Sequence, residues 1–420
     1  MDIFLSTKAV PSEAVNRHFS LFAYGLIIAI WMTLLGVKNM LEPAHYQTVD
    51  GDYYMQLAEK IRDGKPYLLD GLKNEKGLEF SPYPPGFPLL LALFSGAGTA
   101  IPCHILVHGF LFSILAFFWW IHRLPLFVFA ILLFQDTALE ICSYPWSEGA
   151  FVAISILLVI AWQRWEAGRK IIWFFAVLLL WLFLFSIRYA AVFFFLFMAY
   201  RLVFAPSWIS RRKTMILPSL FFLLLVGMWF LVEWQLFGQI TGGDRYANHN
   251  QPAELIDSLF GEVLNQLLWF KDVTGSSDIS FYSGLSVQFF LVFGFVFFLR
   301  RKEKNELQIF SSQASLGGMM MQCGMAYLLF IIPLRWHFYF AELYDFRLLG
   351  PGFLVLFSGI LLYADALFWF KNRFWITVVF LVFAVLFSIP KASLFLRFQE
   401  KIWLDTKPVF TKIITQVKTL

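Results

Sequence analysis

The chain has 420 residues, of which 59% are hydrophobic and only 15% charged, and 52 of them are Phe. A soluble domain carries roughly 25% charged residues, so this composition calls for lipid rather than water as the main solvent. It excludes a soluble enzyme with a single anchor, a disordered chain and a nucleic-acid binder; the net charge of +5 says less than the placement of its Lys and Arg.

A bilayer core takes about 20 apolar residues per helix. The pattern predicts an all-α, polytopic membrane protein with about eleven spans. They are expected at 19–38, 104–121, 125–142, 149–165, 171–187, 189–204, 214–233, 284–299, 310–333, 347–370 and 373–390. The first twenty residues lack the short apolar run and small-residue cleavage site of a signal peptide, so the first span is expected to be retained. Residues 1–390 read as one integral domain, with no internal repeat. Residues 391–420 alternate Lys with aliphatic residues and read as an amphipathic tail on the membrane surface.

Basic residues fall at every second junction: Lys8 and Arg17, His122 and Arg123, Arg164 to Lys170, Arg201 to Lys213, Arg300 to Lys304, and Lys371 with Arg373. The positive-inside bias places these in the cytoplasm; a plasma (inner) membrane is expected from the shortness of the loops. The other junctions then face outside, including two long loops at 39–103 and 234–283 and short ones at 143–148, Arg188 and 335–345. Most polar chemistry lies in that second set, so function is expected at the external surface. Residues 87–100 are apolar but too short to span, and are expected to lie on the external face or re-enter from it.

The first external loop carries the most informative stretch. From Val49 to Ile61, Tyr54, Leu57, Ala58 and Ile61 share one face at helical spacing, and Gly64 supplies a stop. Asp50 and Asp52 stand at the start of this helix. Either would serve as its N-cap, where an acid also meets the positive end of the helix. Either would equally serve as a carboxylate base facing a cleft at lipid level. Pro82, Pro84, Pro85 and Pro88 then make a stiff, extended approach to the apolar segment.

These residues carry a resemblance. Asp50, Tyr54 and Ala58, followed by Ile61, Gly64 and Tyr67, and then Tyr83-Pro84-Pro85, Pro88 and Leu89 to Ala92, resemble the first-loop pattern of integral-membrane glycosyltransferases of the GT-C class. The likeness is greatest to the protein O-mannosyltransferase and aminoarabinose (lipid A) transferase superfamily. Shorter stretches are similar to later motifs of that class: Ser147-Glu148, Arg188-Tyr189, Gly238 to Arg245, and Arg347 to Pro351. The resemblance implies transfer of a sugar, with inversion, from a polyprenyl-phosphate donor to a lipid, glycan or protein acceptor. It puts the catalytic base at Asp50. Many members have an acidic pair there, whereas here Gly51 follows and Asp52 comes one position later.

The expected substrate contacts are Tyr54, Tyr83, Glu148, Arg245 and Arg347. A lipid phosphate at the interface needs cations, and the Arg fork meets phosphate oxygens in a bidentate way. Arg245, Arg335 and Arg347 are the candidates, and each would serve as well as an interfacial anchor. Arg347 falls on the late motif. Glu148 would cap a helix, orient an acceptor or hold Arg188. A divalent metal has a possible ligand set in Asp50, Asp52 and Glu148, but no His/Cys spacing requires one. The rival reading is a transporter or flippase of lipid-linked saccharides; such proteins carry internal symmetry and mid-membrane acids, neither of which is evident here.

Overall fold

The structure is a computed structural model that describes residues 11–41, 46–72, 77, 79–95, 101–168, 170–204, 212–237, 250–267, 307–338, 344–368 and 377–378. Its elements are helices: α1 (Pro11–Leu41), α2 (Val49–Arg62), α3 (Gly86–Ser95), α4 (Cys103–Ile121), α5 (Leu126–Phe134), α6 (Asp136–Ser143), α7 (Glu148–Gly168), α8 (Ile171–Ile187), a 3-10 turn (Tyr189–Phe193), α9 (Phe194–Phe204), α10 (Arg212–Phe237), α11 (Pro252–Leu267), α12 (Leu307–His337) and α13 (Phe346–Phe368). Among the described residues five helices are long and apolar enough to cross a membrane, or six if the bent pair α5–α6 is one span. The molecule is thus an all-helical, polytopic membrane protein. The expected spans at 284–299 and 373–390 and the tail at 391–420 lie outside the described residues, apart from 377–378.

Two expected spans differ in kind. The run 189–204 is a 3-10 turn followed by an eleven-residue helix, shorter than a span. The run 125–142 is not a single helix but two, bent by 56°. Gln135 takes an extended conformation (φ −61°, ψ 136°), and Asp136 opens a new helix with its acid in the first turn. A polar pair inside an apolar run is where the break costs least. The segment expected at 87–100 forms α3, a ten-residue helix too short to cross a bilayer.

The core is built around α7, which is buried on all sides from Glu148 to Gln163. Apolar residues all round a helix mark it as an interior one. It packs against α4, α8, α12 and α13. By contrast, α10 leaves Leu220, Leu223, Leu224, Met228 and Leu231 exposed, as a lipid-facing helix does.

Where the described residues include them, the two families of junctions separate in space. Asn39 at the end of α1 and His104 at the start of α4 both bond the Ser143 carbonyl, and Arg335 near the end of α12 bonds Asn250. At the far end, Arg164 meets His122, Arg201 pairs with Glu166, and Gln313 bonds the Arg123 carbonyl. The 21 residues of α7 separate these ends by about 31 Å, a bilayer's thickness.

Close approach of α12 and α13 depends on glycine. A Cβ at Gly324 would lie 2.6 Å from the Gly352 carbonyl, and one at Gly359 2.7 Å from the Gly317 carbonyl. Such small-residue seams replace the hydrophobic drive that helices lack in lipid. Gly324→Leu and Gly359→Leu should each cost about 1–3 kcal/mol or more by forcing the backbones apart. Gly318→Ala, with nothing within 4 Å of its Cβ, is the neutral control. Thermal unfolding in detergent, followed by size-exclusion of the folded fraction, measures the difference.

Candidate functional site

Two helix caps set the site. Thr48 caps α2 by accepting a hydrogen bond from the Gly51 amide, so neither Asp50 nor Asp52 is the cap. Both acids sit in the first turn instead, where the helix favours negative charge. Lys65 and Gly64 close the other end of α2 by bonding the Lys60 and Ile61 carbonyls, with Gly64 in the left-handed region (φ +67°). On α13, Asp345 accepts from the Leu348 amide. That places Arg347 in the first turn, where the helix disfavours a cation, so its charge must be met from elsewhere.

It is met by two acids. Arg347 bonds Asp50 Oδ2, and its Nε lies 3.5 Å from Glu148 Oε1. Glu148, the first residue of α7 and 2% exposed, also meets Arg188 Nη1 at 2.5 Å. The result is an alternating row, Asp50–Arg347–Glu148–Arg188, drawn from α2, α13, α7 and the residue after α8. Its net charge is zero. Tyr83 donates to Asp50 Oδ1 at 2.5 Å.

Burial opposes the charged form of Asp50, but Arg347 and the Tyr83 hydroxyl outweigh it and hold the carboxyl below the usual carboxylate range. The base form is therefore present at neutral pH and is lost only as pH falls through that lowered value. Burial and the Asp50 charge push the Tyr83 phenol up, which keeps it a neutral donor.

The guanidinium of Arg347 lies over the Trp146 ring, 4.0 Å from its centroid. Trp146 stacks on Tyr144 at 3.8 Å and donates to Thr48 Oγ1 at 2.8 Å. One indole thus supports both the cation and the cap of α2. This double role depends on the juxtaposition of three distant segments.

Asp50, Tyr54, Tyr83, Glu148 and Arg347 line one cavity of about 960 Å³, together with Trp146 and Arg188. Most of its remaining wall is apolar, including Ile187, Val192, Phe230, Phe330, Ile331 and Leu334, with Thr48 and Tyr189 as further polar members. The Tyr54 hydroxyl is engaged by Ser147 Oγ at 3.1 Å, and its ring packs on Tyr83 and Phe87. Asp52 is exposed and does not line the cavity. Arg245 lies outside the described residues. Arg335 is buried, bonds Asn250 and the Phe338 carbonyl, and does not line the cavity. Among the described residues no group of three or more His, Cys, Asp or Glu is placed to hold a metal ion; Asp50 and Glu148 both turn to Arg347, and Asp52 turns away.

No family model matches the chain, and neither a curated protein nor a solved structure matches it significantly.

Gly51 accounts for the spacing of the two acids. A Cβ there would lie 2.5 Å from Pro145 Cγ, because α2 is seated on the 143–148 turn at this point. No side chain fits beside Asp50. Gly51→Ala should lift α2 from Pro145, cost about 1–3 kcal/mol and loosen the Asp50–Arg347 pair. The check is a lowered midpoint in thermal unfolding. Glu148→Gln leaves Arg188 and Arg347 facing a neutral amide. It should also lower the midpoint, because a buried pair broken from one side strands the other charge.

Proposed function

We propose that this protein is a membrane glycosyltransferase that moves a sugar from a polyprenyl-phosphate donor to a hydroxyl or amine acceptor, with Asp50 as general base. The observation that carries the reading is the cavity itself. Two carboxylates, Asp50 and Glu148, and two guanidinium groups, Arg188 and Arg347, share it with a largely apolar wall; guanidinium groups that a phosphate can draw from their carboxylates, beside apolar surface, suit a ligand with a phosphate head and a prenyl tail. The first-loop pattern from Asp50 to Tyr83 supports it, since both ends of that pattern meet in one hydrogen bond.

On this reading Asp50 takes the acceptor's proton as the acceptor oxygen or nitrogen attacks the anomeric carbon. The bond from that carbon to the phosphate oxygen breaks on the opposite face, with inversion. The charge that develops on the departing phosphate falls to Arg347 and Arg188. Arg347 serves both partners in turn. While it holds Asp50, the carboxylate is a weak base. When a phosphate draws it away, Asp50 loses its counter-ion and gains basicity. Donor binding thus readies the base. The separation of polar and basic junctions to opposite ends of the bundle supports a site at the external face of a plasma membrane.

The test uses membranes carrying wild type or Asp50→Asn, with radiolabelled polyprenyl-phosphate sugars. Transfer of label from the lipid should fall by about 10²-fold or more in Asp50→Asn, with donor binding retained. Unchanged transfer removes Asp50 as the base. Passage of lipid-linked sugar across the bilayer without turnover replaces the enzyme with a transporter.

The pH profile gives a second check. For kcat/KM, which reports the free enzyme, the acid limb set by Asp50 should lie below the ordinary carboxylate range, so activity stays flat down through about pH 5. For kcat, with Arg347 drawn to phosphate, the acid limb should move to higher pH. Coincident limbs argue against the exchange of Arg347 between partners.

A further inference from the structure

A second polar cluster reaches the cavity through the 3-10 turn. Tyr189 lines the cavity beside Phe230. Its hydroxyl donates to Glu233 Oε1 on α10, and Trp229 Nε1, one turn earlier, donates to the same oxygen at 2.9 Å. Glu233 is 8% exposed, and its other oxygen, Oε2, is buried with no hydrogen-bond partner. An acid on a helix whose other faces are Leu, Met and Val is costly in lipid, and such residues mark functional positions. None of the four charges in the Asp50 row bonds this carboxyl among the described residues.

The arrangement has a definite hydrogen-bonding polarity. A phenol has one hydrogen and two acceptor lone pairs. Glu233 takes the hydrogen of Tyr189, and the ring is fixed between Phe185 and Phe230, with centroids at 5.6 and 5.9 Å. Trp229 also reaches the phenol oxygen as a donor, so what Tyr189 has left to offer is one acceptor lone pair. Its neighbours on that wall, Ala190, Val192 and Phe230, offer none from their side chains. A ligand group that meets this wall well must be a donor.

We infer that Tyr189, oriented by Glu233 and Trp229, is a specificity-determining residue that accepts a hydrogen bond from one hydroxyl of the sugar in the cavity. This rests on the glycosyl-transfer reading. Tyr189 touches the sugar; Glu233 and Trp229 are positioning residues that keep its hydrogen turned away. A sugar lacking that hydroxyl binds less well because it leaves the second acceptor lone pair of the phenol oxygen unmet.

The experiment uses the full-length protein in lipid nanodiscs and equilibrium binding. The probes are sugar-free polyprenyl phosphate and polyprenyl phosphate carrying glucose, galactose, mannose or arabinose. The tightest-binding glycoside is then tested in its mono-deoxy forms. Wild type should disfavour one deoxy form by tenfold or more. Tyr189→Phe should lose that discrimination and bind sugar-free polyprenyl phosphate as wild type does, which also shows that it is folded. Glu233→Gln keeps a carbonyl acceptor for Tyr189 and should retain most of the discrimination, whereas Glu233→Leu should lose it. Unchanged discrimination in Tyr189→Phe, or an equal loss of affinity for sugar-free and sugar-bearing probes, overturns the inference alone. Failure of wild type to bind any probe beyond empty nanodiscs overturns the glycosyl-transfer reading with it.

Discussion

Arg347 is the group on which the site depends. A guanidinium in the first turn of a helix, largely withdrawn from water, is costly unless anions meet it. Asp50 and Glu148 meet it from α2 and α7, and Trp146 supports its face. The same contacts fix the first loop, the central helix and α13 to one another. Asp50 cannot move without stranding Arg347, and Glu148 cannot move without stranding Arg188 as well. Charge compensation in a poor solvent thus does the positioning that hydrophobic burial does in the rest of the bundle.

The helices that carry that row of charges are held by close contacts at glycines. Gly51 lets α2 sit on Pro145, and Gly86 lets α3 approach the Ser186 backbone at the end of α8. The α12–α13 glycine seam brings the cavity's Phe330, Ile331 and Leu334 alongside Arg347. A cavity with one charged side and one apolar side follows from this geometry. The chemistry proposed for it needs both sides, one for a phosphate and its leaving-group charge and one for a lipid tail.

A site of zero net charge also bears on how the reaction would be timed. The carboxylate is held ionised but weakly basic while its counter-ion stays in place. An incoming anion that competes for the counter-ion raises its basicity at the moment it is required. On the proposed reading, the pair that braces these segments at rest is also the one that a bound phosphate exchanges.

Much of this was legible in the chain. Apolar run length predicted helices that are present at 19–38, 104–121, 149–165, 171–187, 310–333 and 347–370, because in lipid the backbone must satisfy itself. Periodicity predicted α2 and its buried face of Tyr54, Leu57 and Ala58. The spacing of Arg and Lys sorted the junctions into two sets, and their described members lie at opposite ends. These are local or one-dimensional properties, set by chain geometry and solvent. The break at Gln135, the cap at Thr48, the exposure of Asp52 and the withdrawal of Arg335 were not legible, since each depends on what a distant segment places nearby. Arg188 with Glu148, Trp146 with Thr48, and Tyr189 with Glu233 are separated by 40, 98 and 44 positions. Sequence alone determined that this chain lives in a membrane as a helical bundle with its polar residues gathered in alternate loops. Only the tertiary structure decided which acid meets which cation, because the cost of a buried charge is settled by its neighbours in space and not by its neighbours in the chain.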